Sequence, residues 1–179
     1  MEERELDALK FPIGEFIASE KINYEFLKTC IEDVKNFPNS LETLVMELTT
    51  AELNYKYRPG GWTIKQVVHH CADSHMNSLL RFKLALTEDT PVIRPYFEDR
   101  FAELPDSLDK NLESSLLLLK GLHMKLSRIM AGLSNAELRK KYMHPEHGQE
   151  FELHQVVATY AWHSNHHLAH IAQALKLKY

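Results

Sequence analysis

The chain contains only two cysteines, Cys30 and Cys71, in 179 residues. They form no CxxC pair and no disulfide framework, which sets aside a disulfide-stapled scaffold and fits a reducing cytoplasm. No stretch approaches the roughly 18 apolar residues of a membrane span. A basic excess is also missing: 21 Lys and Arg face 25 Asp and Glu, a net charge of −4. That balance argues against nucleic acid as the main partner, because phosphate binding needs a basic surface. There is no GxSxG elbow, P-loop or Rossmann fingerprint, and no internal repeat. The first ten residues, MEERELDALK, are acidic and polar, so no signal peptide is expected. What remains is the composition of an ordinary soluble globule. One domain over residues 1–179 is expected, long enough to bury its own core.

Four long helical patterns organise the chain. The first runs from about Ser19 to Glu47, with Ile22, Phe26, Leu27, Cys30, Ile31 and Val34 at helical spacing; Pro38 is expected to break or kink it. Arg58-Pro59-Gly60-Gly61 is a turn. Thr63 follows as an N-cap with Gln66 in capping-box position, opening a second helix to about Thr87. Glu88 to Asp106 holds three prolines and the aromatics Tyr96, Phe97 and Phe101. It is read as a crossing loop with a helical turn near Phe97–Glu103. The third helix spans about Leu108 to Leu133. Tyr142–Phe151 reads as a small hairpin around Pro145 and Gly148, and the fourth helix runs from about Leu153 to Lys176. The fold class is therefore all-α, a four-helix bundle, and the long link after the second helix permits a crossover connection.

Histidine is where the sequence is rich. The segment WHSNHHLAH places His163, His166, His167 and His170 within one predicted helix. His163 and His167 are four apart, as are His166 and His170, and residues so spaced share a helix face. Two stacked imidazoles can hold one metal ion. A second knot, His69, His70 and His75, lies on the second helix. At about 100° per residue, His167 falls within the apolar sector of the fourth helix and His163 at its edge. His166 points to the opposite side, so His166 and His170 are expected on an outer or interface surface, as is Trp162. On the second helix His75 lies mid-stripe, as a satisfied core group or a ligand. His69 and His70 flank it, and the wheel does not choose between them. Asp73 could orient a ligand ring, serve as a ligand, or be a solvated charge. His144, His147 and His154 form a possible adventitious cluster. Trp62 is expected to anchor the start of the second helix. Asp73-Ser74-His75 contains triad residue types, but consecutive helical positions diverge and triads must converge.

The strings RPGGWTIKQVVHHCADSHMNSLLRFKLALTEDTPVIRPY, WHSNHHLAHI and FPIGEF resemble the YfiT branch of the DinB-like superfamily. The resemblance covers about Phe11 to Ile171. It implies a four-helix bundle holding one divalent metal on three histidines. Matched motif to motif, the ligands fall on His70, His163 and His167. Members are described as metal-dependent hydrolases and as thiol-dependent transferases, including bacillithiol S-transferases. A homodimer is also implied. The chain departs from the family pattern at Cys71, where the pattern has leucine, and at Asn165, where the pattern has a further histidine.

Three histidines leave a metal with open positions, the mark of a catalytic site. Such a centre can activate water for hydrolysis or hold a thiol as thiolate. The leading expectation is transfer of a low-molecular-weight, bacillithiol-like thiol to a small electrophile. Metal-dependent hydrolysis is the alternative, and a metal-binding protein without turnover is a reading from another class. Imidazoles suit zinc or nickel, with iron possible. Arg58, Arg94 and Tyr96 are candidate substrate contacts, the arginines for a carboxylate.

Overall fold

A computed structural model describes residues 3–179. In chain order the main elements are α1 (Glu3–Lys10), α2 (Tyr24–Val45), α3 (Ile64–Thr87), α4 (Glu98–Phe101), α5 (Glu113–Ala131), the strands β1 (Lys141–His144) and β2 (Gln149–Glu152), and α6 (Leu153–Leu177). The four expected helices are α2, α3, α5 and α6. Helix α2 packs on both α5 and α6, and α3 packs on the same two. Helices α2 and α3, consecutive in sequence, thus sit across the bundle from each other. The long links between successive helices make that order possible.

Local chemistry sets the ends. Asn23 caps α2 by accepting from the Phe26 backbone N–H at 3.1 Å, so the helix starts after the expected Ser19. Helix α5 starts after the expected Leu108, because Asp109 and Asn111 accept from the backbone N–H groups of Asn111 and Glu113 and hold a turn there. Thr63 and Gln66 form the expected capping box on α3. The Gln66 amide also donates to the Ala102 carbonyl at 2.9 Å, fastening the crossing segment to the start of α3. Replacing Thr63 with alanine is expected to cost about 1 kcal/mol, seen as a lower urea midpoint; an unchanged midpoint would show the box to be idle.

Pro38 does not break its helix: α2 runs through it from Tyr24 to Val45. Proline lacks the N–H that would bond the carbonyl four residues back, so Val34 loses its helical donor. That carbonyl is instead approached by Nδ1 of His123 from α5.

The core falls into two apolar clusters. One holds Leu27, Cys30, Val34, Phe82, Leu126, Met130, Leu153 and Val157. The other holds Phe37, Leu41, Ile64, Val68, Cys71, Leu119 and Ile171. His75 on α3, His123 on α5 and His163 and His167 on α6 lie in sequence between these sets, so a histidine layer crosses the bundle where they part. Both cysteines are buried and free. Burial raises the Cys30 thiol to about 11 and pushes the Cys71 thiol up further, so neither is a ready nucleophile.

The expected hairpin pairs Lys141 with Glu152 and His144 with Gln149; Gly148 supplies the left-handed turn conformation at φ 61°. Ile93 N–H donates to the Met143 carbonyl at 3.0 Å, tying the crossing segment to β1. No helix among the described residues is long and apolar enough to cross a membrane.

Candidate metal centre

Helix α3 contributes His70, and α6 contributes His163 and His167 one turn apart. Nε2 of His70 lies 3.3 Å from Nε2 of His163, and one ring nitrogen from each of the three lies within 4.8 Å of the others. Two nitrogens bound to one tetrahedral zinc at about 2.0–2.1 Å stand about 3.3 Å from each other. The first pair therefore already has the spacing of ligands on one ion. Among the described residues, this is the only group of His, Cys, Asp or Glu side chains placed to hold a metal.

The rings are also in the right charge state. Burial, then the neighbouring His166, holds His70 down at about 4. Burial pushes His163 and His167 well below the usual histidine range, and each is lowered further by the other histidines around it. Neutral imidazole is the form that binds metal. Three neutral nitrogen donors fit a borderline divalent ion and leave it open positions.

The trio forms part of the wall of a cavity of about 550 Å³ that also meets Arg58, Trp62, Ser74, Arg81, Tyr96, Tyr142, His144 and Tyr160. The RPGG turn shapes one side: a Cβ on Gly61 would come within 2.8 Å of Arg58 Cγ. Trp62 is more than a packing anchor, since its ring lies 4.6 Å from that of His70. The Ser74 hydroxyl is 3.5 Å from His163 Nε2. Arg58 and Arg81 each have a buried Nε without a partner. Tyr96 is pushed well above the usual phenol range by burial. Arg94 is exposed; it lines an adjoining groove with Met76 and Leu80, and Arg81, Pro95 and Tyr96 are common to the groove and the cavity.

Several expectations need correction. His166 and His170 are buried, with 7% and 3% of their surface exposed. The cause is the segment after α1, which the helical wheel does not include. His170 Nε2 lies 3.0 Å from the Lys10 carbonyl, and its ring stacks on Tyr57 at 3.8 Å. Phe11 packs near His166. Trp162 is half-buried and is partly covered from within the chain, donating to the Gly14 carbonyl at 3.1 Å and packing on Phe16. Asp73 makes no hydrogen bond to any of the three rings. Its carboxyl is raised to about 6 by burial and then by Asp106. The group that meets His163 from behind is His75, whose Nε2 is 3.0 Å from His163 Nδ1. The His144 and His147 rings lie 4.4 Å apart, tilted by 44°, whereas His154 pairs with Glu152, so these three do not form a cluster. His69 is bonded to Ser115 and to the Asp109 carbonyl, pinning α3 to the α5 side.

Sequence reasoning missed His123. Its signal was present: one polar ring on the buried α5 stripe of Leu119, Leu122, Leu126 and Met130.

Fold and site together define a class: a four-helix bundle whose histidines are placed to hold one divalent metal beside an open cavity. The chain belongs to the DinB superfamily, whose model matches residues 35–171. It is 43% identical over 171 residues to a protein of Bacillus cereus (strain 03BB102), covering 96% of this chain and 98% of the relative. A protein of Bacillus thuringiensis subsp. konkukian matches equally well, and both are named "Putative metal-dependent hydrolase". The solved structure of YfiT from Bacillus subtilis superposes with a TM-score of 0.92 at 40% identity, covering 96% of this chain and 98% of that one. That protein is described as "a probable metal-dependent hydrolase with an unusual four-helix bundle topology".

Proposed function

We propose that the chain is a divalent-metal-dependent enzyme acting on small molecules, with His70, His163 and His167 as the ligands. The observation that carries this reading is the convergence of three neutral imidazoles on one point at a cavity wall. When bound, a divalent ion there supplies a Lewis acid that lowers the pKa of a water or thiol it meets. Burial keeps the three rings unprotonated and fixed in place. Arg58 and Tyr96 stand at the cavity wall, where a guanidinium and a phenol can orient an anionic substrate group. Arg94, on the adjoining groove, acts on a substrate that extends beyond the cavity.

Within that class we favour thiol transfer. The carboxylates on the cavity wall are Glu98 and Glu146, both exposed, and neither is hydrogen-bonded to the histidines. Hydrolysis commonly relies on a positioned general base; a thiol, already far more acidic than water, needs less help. In this reaction the thiol sulfur bonds to an electrophilic carbon. With a chlorinated aromatic, chloride departs with the electron pair of its bond and the thiol proton goes to solvent; with an epoxide, the ring C–O bond opens, and the oxygen keeps the electron pair and takes up a proton. Hydrolysis is the second reading, favoured by the names of the relatives. A homodimer and a cytoplasmic setting complete the proposal.

Metal-loaded protein given bacillithiol with a chlorinated aromatic or an epoxide is expected to yield the conjugate, detected by mass. Turnover of esters or amides without any conjugate moves the assignment to hydrolysis. Failure of both reactions, with metal bound, leaves a metal-binding protein without turnover.

A further inference from the structure

The nitrogens behind His163 and His167 form two chains, and each ends on a backbone carbonyl. Behind His163, His75 Nε2 is 3.0 Å from His163 Nδ1. His75 Nδ1 is 2.6 Å from His123 Nε2, and His123 Nδ1 meets the Val34 carbonyl. This chain passes through α2, α5, α3 and α6 in turn. Behind His167, His170 Nδ1 is 3.4 Å from His167 Nδ1, and His170 Nε2 is 3.0 Å from the Lys10 carbonyl.

A carbonyl oxygen can only accept, and a neutral imidazole has one donor and one acceptor nitrogen. Those two facts settle every proton. The Val34 carbonyl requires N–H on His123 Nδ1, which leaves His123 Nε2 to accept. His75 must then donate from Nδ1 and accept at Nε2, so His163 donates from Nδ1 and its Nε2 carries a lone pair. By the same logic the Lys10 carbonyl requires N–H on His170 Nε2. His170 Nδ1 accepts, His167 donates from Nδ1, and its Nε2 lone pair is free. Pro38 makes the first anchor available, because it withholds the N–H that would otherwise bond Val34 within α2.

We propose that these two relays, Val34 carbonyl–His123–His75 and Lys10 carbonyl–His170, are positioning devices. They hold His163 and His167 as Nδ1–H tautomers, so that both present Nε2 lone pairs to the metal. Toward the metal this rests on the ligand assignment above; the tautomers themselves do not. Ligand histidines in metal sites are oriented in this general way, usually by one acceptor, and losing that acceptor costs about 10- to 100-fold in metal affinity. Here the orienting groups are neutral histidines, and one relay depends on the N-terminal segment being docked.

The test is ring-nitrogen NMR on ¹⁵N-histidine-labelled, chelator-treated protein, in which long-range proton–nitrogen couplings identify each tautomer. Nδ1–H is expected for His163, His167, His75 and His123, and Nε2–H for His170. An Nε2–H form at His163 or His167 overturns the proposal, and this parent spectrum decides even if no variant folds. Zinc titration against a competing chelator gives the second readout. His75→Leu and His170→Phe are expected to weaken zinc by about 10- to 100-fold, with His75→Gln, whose amide oxygen can accept, recovering most of the loss. Unchanged affinity in His75→Leu and His170→Phe also overturns the proposal. The expected tautomers together with zinc retained in His163→Ala would sink the ligand assignment while leaving the relays standing.

Discussion

His163→Ala is expected to strip the protein of its metal. The residue lies between both partners: its Nε2 is 3.3 Å from that of His70, and its ring is 4.4 Å from that of His167. Removing a direct ligand should weaken binding by at least the roughly 100-fold upper figure for an orienting group. Elemental analysis of untagged protein should find about one divalent ion per chain in the parent. His70→Ala, His163→Ala and His167→Ala should each carry a small fraction of that. Stoichiometric metal retained in all three would remove the centre from these residues. Loss in His75→Ala combined with retention in His70→Ala would move the α3 ligand to His75. The structure argues against that outcome, because His75 is fully buried and both its ring nitrogens already have partners.

The second large effect is acid sensitivity of the metal-free protein. Burial lowers His70, His123 and His166 to about 4 and His170 to about 3, and pushes His75, His163 and His167 well below the usual range. In the unfolded chain a histidine titrates near 6.5. As pH falls from about 6.5 towards 4, the unfolded state therefore binds protons that the folded state refuses. Stability is full above this window and lost through it, each such proton tilting the balance by about 1.4 kcal/mol per pH unit. The urea midpoint of chelator-treated protein should drop steeply between about pH 7 and 5, and a flat midpoint across that range would contradict the buried neutral layer. Added divalent metal should raise the midpoint at neutral pH, since it binds only the folded arrangement.

Much of this was legible in the chain. Helical periodicity located all four bundle helices, and the capping box and hairpin formed where turn chemistry placed them. The phase of α6 selected His163 and His167 as the inward pair. On α3 the wheel favoured His75, and only the family resemblance pointed to His70. The structure shows how the two positions differ. A position at the centre of the apolar stripe faces the dry middle of the bundle, where a side chain can be satisfied but no substrate can reach. A metal ligand that a substrate can approach would sit at the flank, between the core and the cavity, and His70 occupies that edge.

The errors on the outer face of α6 share one origin. A wheel describes one helix against an assumed interior and knows nothing of chain that returns to cover the other face. Residues 10–16 do so, burying His170 against the Lys10 carbonyl and Tyr57, and partly covering Trp162 through Gly14 and Phe16. The sequence by itself determined the helices, the imidazole identity of the donors and the H-x3-H pair, because these depend on residue type and on spacing along one helix; burial in the folded bundle then keeps those rings neutral. For Pro38 the sequence suggested a break or kink; that α2 runs through the proline and leaves the Val34 carbonyl without its helical donor emerges only from the fold. Which group would meet that carbonyl was decided only when α5 packed against α2 and brought in His123. Hydrogen bonds between histidines on different helices depend on ångström-scale distances across the bundle, which spacing along any one helix does not encode.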